Sequence, residues 1–270
     1  MKRILLITLV AAAPLIAQAQ DTQDFGALWT EVGVTKVFPY NLSLEAGVGF
    51  RSIDWMEHAN RFDASLGLSY KLGKYLKFDL SYTFIERHYL EETKENYGNN
   101  SGRFNGYNID AAHWAPRHRV SFDVTADKRF WKTLRISLRE RYQFTHQAAR
   151  DIDRIKLRDP SYDSEGNIIG FDEEEQTIKH KNAWDRHLLR SRLKFAIDKK
   201  GWKWEPFTSV EFHNNMGDSW HLDKIRTAIG TEYAVSKQHK VSAAYVFTHE
   251  NDDDGNENIH ALSIGYRFKF

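Results

Sequence analysis

The chain has 270 residues, with 38 Lys and Arg against 37 Asp and Glu, eight Trp and no cysteine. A formal net charge of +1 gives no broad attraction to nucleic acid, and the absence of cysteine excludes disulfide frameworks and thiolate chemistry. Aromatics reach 14% although mean hydropathy is only −0.61, and beyond the first twenty residues nothing approaches the roughly 18 apolar residues of a membrane helix.

The first element in chain order is a leader. Lys2 and Arg3 precede an apolar run from Ile4 to Ile16, and Ala17-Gln18-Ala19 fits a small-residue cleavage site. This predicts a cleaved, Sec-type signal peptide over residues 1–19 and a single mature domain over 20–270.

Alternation of apolar and polar residues, the signature of a strand, then recurs along the chain. A less regular segment runs from Phe25 to Val37. Leu42, Leu44, Ala46, Val48 and Phe50 alternate with polar or small neighbours, as do Phe62 to Leu72, Leu76 to Phe84 and Val120 to Ala126. Leu134 to Phe144 continues the pattern, broken by Glu140 on the apolar side. Further runs contain Leu189 to Ile197, Val210 and Phe212, Ile225 to Tyr233, Val241 to Phe247, and Leu262 to Phe270. Helical spacing does not fit these runs, so the expected fold class is all-β.

Tight turns at Phe38-Pro39-Tyr40-Asn41, Gly73-Lys74-Tyr75, Arg129-Phe130-Trp131, Lys200-Gly201-Trp202 and Ser236-Lys237-Gln238 alternate with longer polar stretches near 52–61, 89–117, 146–185, 214–222 and 250–258. Short turns alternating with long loops predict a transmembrane, antiparallel, up-and-down β-barrel with periplasmic turns and extracellular loops. Aromatics fall into two groups. Phe38, Tyr40, Tyr75, Trp131, Trp202 and Trp204 lie near the turns, and Tyr82, Phe84, Tyr142, Phe144, Tyr245 and Phe247 lie near the loops, as two interfacial girdles require. Eleven strands can be counted, whereas bacterial single-chain barrels have even numbers. The expectation is therefore ten, with the Phe25–Val37 segment outside the wall, or twelve, with an extra strand near 20–27.

Several stretches carry a resemblance. They are the leader, Trp29-Thr30-Glu31, His118-Arg119, Leu138-Arg139-Glu140-Arg141-Tyr142-Gln143-Phe144, Leu189-Arg190-Ser191-Arg192-Leu193 and Tyr266-Arg267-Phe268. In these the mature chain resembles the domain-of-unknown-function 2490 family of Gram-negative outer-membrane barrels. The resemblance implies an outer-membrane location and a barrel fold, and it brings no catalytic residues. The ending Tyr266, Phe268, Phe270 resembles the C-terminal signal read by the barrel assembly machinery. That machinery and periplasmic chaperones are the implied partners during biogenesis.

If apolar positions face lipid, their neighbours face the lumen. Arg135, Arg139, Arg141, Arg190, Arg192 and Lys194 would make one wall basic; Arg51, Arg119 and Arg226 also point inward. Glu45, Asp63, Asp79, Asp123, Glu205, Glu211 and Glu232 form the acidic set. Charges at this density are expected to interlock, because unpartnered buried charge is costly. A lumen closed by salt bridges is the first expectation, and a narrow passive channel for small anions is the alternative. Glu140, outward among apolar residues, calls for a bulge or a place at the headgroup rim.

A lipid-active enzyme is the second alternative, with His249 beside Thr248, and His213 beside Glu211, as its candidate catalytic groups. No G-x-S-x-G or H-E-x-x-H motif accompanies them. A non-enzymatic protein without cofactor or metal is the expectation. The polar loop Asn251–Asn258 has the composition of a calcium loop, but Ala261 stands where the bidentate Glu belongs. Asp172-Glu173-Glu174-Glu175 and Lys179-His180-Lys181 are expected as solvated charge, with lipopolysaccharide contact as their functional alternative. Outer-membrane lipid and lipopolysaccharide are thus the expected surroundings.

Overall fold

The computed structural model describes residues 23–98, 102–217, 219–252 and 255–270, so the expected signal peptide lies outside the described residues. The wall of a closed barrel is built by β1 (Gln23–Val37), β2 (Leu42–Ile53), β3 (His58–Leu72) and β4 (Leu76–Tyr89). The chain then leaves the wall for β5 (Glu92–Tyr97) and β6 (Phe104–Asp110) and returns in β7 (His113–Phe130) and β8 (Leu134–Gln147). A second excursion makes β9 (Arg150–Tyr162) and β10 (Ile168–Lys181). β11 (Trp184–Ile197), β12 (Trp204–Asn215), β13 (His221–Ala234), β14 (His239–Asp252) and β15 (Gly255–Lys269) complete the wall.

The wall order is β1-β15-β14-β13-β12-β11-β8-β7-β4-β3-β2, eleven strands in a closed ring. Neighbours are antiparallel except at one seam, where β1 and β15 run parallel from Gln23 opposite Glu257 to Thr35 opposite Lys269. This corrects the expectation of ten or twelve strands. Strictly antiparallel closure demands an even count; a parallel seam removes that demand, and the Phe25–Val37 segment is a full wall strand.

Strand alternation sorts the residues in the reverse of a soluble protein. Val48 is 57% exposed, Leu66 54%, Leu80 54% and Ile229 53%, all on the outer face. On the inner face Asp123 is 3% exposed, Glu211 5% and Thr248 0%. On the inner face Ala27, Val246 and Ala261 form a small apolar cluster with Trp29, Ala228, Ala244 and Ile259 against it, and Ile85 is buried elsewhere on that face.

The long polar stretches are also corrected. Residues 89–117 and 146–185 are not loops for most of their length. β5, β6, β9 and β10 form a four-stranded antiparallel sheet in the order β10-β9-β6-β5. Its strands continue, after short breaks, the wall strands β11, β8, β7 and β4, which stand side by side in the same order. One of its faces carries Asp110, Arg154, Lys156, Arg158, Glu175 and Lys179, and in β10 the run Asp172-Glu173-Glu174-Glu175 hides the period-two pattern that Ile155 and Leu157 show in β9. Gly106 has φ +124°, and a Cβ there would lie 1.9 Å from the Leu157 carbonyl oxygen, so β6 and β9 approach only through glycine. Asn251–Asn258 is a hairpin, with Asn251 opposite Asn256 and Asp252 opposite Gly255; Asp253 and Asp254 lie outside the described residues.

Candidate functional site

The inner face is the place where chemistry-bearing residues converge, and it is layered along the barrel. At the short-turn end, cations and carboxylates alternate in contact. Lys77 Nζ lies 3.3 Å from Glu45 and 2.6 Å from Asp79. Arg135 reaches Asp127 at 2.7 Å and Glu205 at 3.3 Å, while Glu232 takes Lys194 at 2.7 Å and Lys240 at 2.8 Å.

Midway up the wall, Glu211 receives Arg139 Nη2 at 2.7 Å and Arg190 Nε at 2.9 Å, and His213 Nε2 lies 2.8 Å from the same carboxylate without a hydrogen bond. Arg141 grips Asp123 with two hydrogen bonds of 2.7 and 2.5 Å, a bidentate geometry among the stronger charge-assisted contacts. Arg190 also donates to Gln143 at 3.0 Å. β8 and β11 are neighbours, so the stretch expected as a basic wall has Arg139 opposite Arg192 and Arg141 opposite Arg190. Its charge is largely answered by Asp123 and Glu211.

Toward the long-loop end the balance changes. Arg51, Arg61 and Arg87 stand directly opposite one another on β2, β3 and β4. Arg61 meets Asp63 at 2.9 Å. Three further arginines at this end turn to neutral groups: Arg117 donates to Gln147 at 2.8 Å, Arg119 to Thr145 at 3.1 Å and Arg226 to Thr248 at 3.1 Å. The Trp29 ring receives Arg51 at 4.5 Å and Arg226 at 4.9 Å. Among the described residues, Arg51, Arg87, Arg117, Arg119, Arg192 and Arg226 form no ion pair. The Nε atoms of Arg61, Arg87 and Arg192 are buried without a hydrogen-bond partner among those residues.

Trp29, Arg61, Arg87 and Arg117 were not among the expected inward residues. The last three fall in or beside stretches read as loops, although the alternation extends to them: Asp63 to Arg61, and Thr83 through Ile85 to Arg87. Following the period two residues further at each strand end would have found them.

The candidate catalytic groups are placed as follows. Thr248 points inward and is fully buried, while His249, on the opposite side of the pleat, has Nδ1 2.9 Å from Asn258 Oδ1. The two therefore stand on opposite faces of β14 and do not form a dyad. Glu211 and His213 do meet, yet the carboxylate is also clamped by two arginines, and among the described residues no hydroxyl is hydrogen-bonded to His213.

Glu140 departs from expectation. It pairs in unbroken register with Val124 and Ser191 at the midpoint of β8, with neither a bulge nor a rim position. Ser191 Oγ donates to its Oε2 at 2.5 Å, which answers part of the carboxylate's need on an apolar face. The terminal residues are tied down. Phe270 N donates to Thr35 O at 3.0 Å, Val37 N donates to Phe270 O at 2.9 Å, and the Phe268 and Phe270 rings stack at 5.4 Å.

The outer rim carries a repeat that sequence reading did not register. Tyr82 and Phe84 meet His118, Tyr142 and Phe144 meet His187, and Tyr245 and Phe247 meet His260. In each, the histidine sits opposite the Phe and its Nδ1 lies 2.6–2.7 Å from the Tyr hydroxyl. Tyr266, Phe268 and His239 repeat the arrangement at the short-turn end.

The family model described as a protein of unknown function, DUF2490, matches residues 26–259, nearly the whole wall. The chain belongs to this family. No curated protein matches the chain at a significant level. For this DUF2490 protein, function has to be read from the barrel itself.

Proposed function

We propose that this DUF2490 protein is an integral outer-membrane β-barrel, non-enzymatic, with a lumen closed by its own charged side chains and with surface-interaction or structural roles. The observation that carries the reading is the inverted distribution of residues: exposed aliphatic and aromatic side chains outside, ion pairs inside. In water that outer face would be an unusually large apolar surface, while against lipid it is the favourable one. Exposed aromatics at the turns (Tyr40, Tyr75, Trp131, Trp202 and Trp204) and Tyr–Phe–His groups near the other end fit the two headgroup levels. Lipid and lipopolysaccharide are the proposed surroundings, the latter meeting the charged strand β10. The leader implies export, and the tethered Phe270 fits an assembly signal.

Refolding of the chain from residue 20 into detergent or lipid vesicles tests this. The expected outcome is heat-modifiable gel migration and strand-rich circular dichroism only in the amphiphile. A soluble monomer without detergent overturns the reading.

A second reading, a narrow channel for small anions, is favoured by the inward arginines that lack carboxylate partners. In planar bilayers it requires discrete conductance steps and a reversal potential of anion-selective sign in a KCl gradient. The closed-lumen reading requires neither.

A further inference from the structure

We infer that the arginine tier at the long-loop end of the lumen is a binding site for a phosphate-type oxyanion. Three arginines in one cross-strand row, Arg51 opposite Arg61 and Arg61 opposite Arg87, place like charges at the shortest lateral spacing of a sheet. Such pairs are destabilising unless something between them carries the opposite sign. Asp63 supplies one carboxylate, to Arg61. Arg87 forms no ion pair among the described residues, and the buried Nε atoms of Arg61 and Arg87 have no hydrogen-bond partner there.

The far wall adds to the same tier. Arg226, on β13, reaches the Trp29 ring that Arg51 also contacts, so two strand systems deliver guanidinium groups to one place. The indole positions these cations without neutralising them. The contrast with the short-turn end is informative: there the same kinds of side chain are matched by carboxylates at 2.6–3.3 Å. Near Arg226 the tier also holds the Lys224–Glu250 ion pair, and Arg192 midway up the wall likewise lacks one among the described residues, so the surplus of positive charge is concentrated at this end rather than confined to it.

Guanidinium forks match anions that present several oxygens, and a tetrahedral phosphate can take forks from more than one direction. A lone carboxylate would satisfy one or two. Because the tier faces the lumen, the wall separates it from lipid headgroups, and a free phosphate or phosphate monoester is the source that fits. The inference does not depend on membrane residence, since the closed barrel carries the tier in any solvent.

Calorimetric titration of the folded protein in detergent with inorganic phosphate, against sodium chloride of equal ionic strength, tests it. Saturable binding near one per chain is expected. Arg87→Gln and Arg226→Gln should each weaken it about tenfold or more, the scale of losing one charge-assisted bond. Lys71→Gln, an inward cation at the other end, should leave it unchanged. Arg226→Lys, which keeps the charge, should retain part of the affinity. Heat-modifiable migration of every variant separates a lost site from a lost fold. Dihexanoyl phosphatidic acid in place of phosphate should not compete, and competition would assign the site to a lipid headgroup. Absence of saturable phosphate binding, or binding insensitive to both Gln substitutions, overturns the proposal.

Discussion

Asp110 holds together the sheet outside the barrel. It is 2% exposed, and burial alone would raise its pKa, but Arg154 at 2.6 Å and Lys179 at 2.7 Å bring it down to about 2. A carboxylate depressed in the folded state contributes stability above its unfolded value near 4, and loses it as pH falls through about 2. The expected outcome is that β5, β6, β9 and β10 resist pepsin at pH 4 and become cleavable near pH 2, while Asp110→Asn is cleavable at both. Glu140 makes the opposite case, a charge on the wrong face. Glu140→Leu should raise the barrel's stability by about 1 kcal/mol, read as a higher urea midpoint in vesicles, because lipid-facing carboxylates are disfavoured. A lower midpoint would mean that the Ser191 contact outweighs the cost of the charge.

At the scale of strands, period two made the wall legible: every alternating run that follows the leader falls on a wall strand. What stayed hidden has physical causes. Strand ends that extend past the apolar band become polar on both faces, so Arg61, Arg87 and Arg117 merged with apparent loops. β10 carries four consecutive acids, Asp172 to Glu175, which erase the hydropathy signal, whereas β9 does alternate Ile155 and Leu157 with Arg154, Lys156 and Arg158. The Tyr–Phe–His groups joined residues more than thirty positions apart in two of the three outer-rim cases, and only the register reveals them. These groups make a prediction of their own. Tyr142→Phe removes the hydroxyl that meets His187 at 2.7 Å and should cost about 1 kcal/mol, the net worth of one hydrogen bond, in the same urea assay. Tyr75→Phe, whose hydroxyl meets no such partner among the described residues, serves as the comparison.

For the whole molecule, the seam decides the architecture. Thr30 stands opposite Ile264 across it, both on the outer face. Since the chain has no cysteine, Thr30→Cys with Ile264→Cys should form one disulfide on oxidation, visible as faster non-reducing migration of the unfolded chain. A ten-stranded wall without β1 would leave the pair unjoined. The parity problem was legible in the sequence as an odd count, but its solution was not, because nothing in the residues of β1 announces that its partner runs the same way.

The four-stranded sheet gives this barrel a front and a back. Four of the eleven wall strands carry it, with β9 roughly 40 Å long at the usual rise per residue, while the others end in short connections. A barrel turning about its axis in a membrane would therefore show each neighbour a different silhouette, tall on one side and low on the other. A bulky molecule nearing the opening would meet the screen from one bearing and find clear access from the opposite one. For this protein, the bearing of an approach about the barrel axis becomes a variable in its encounters.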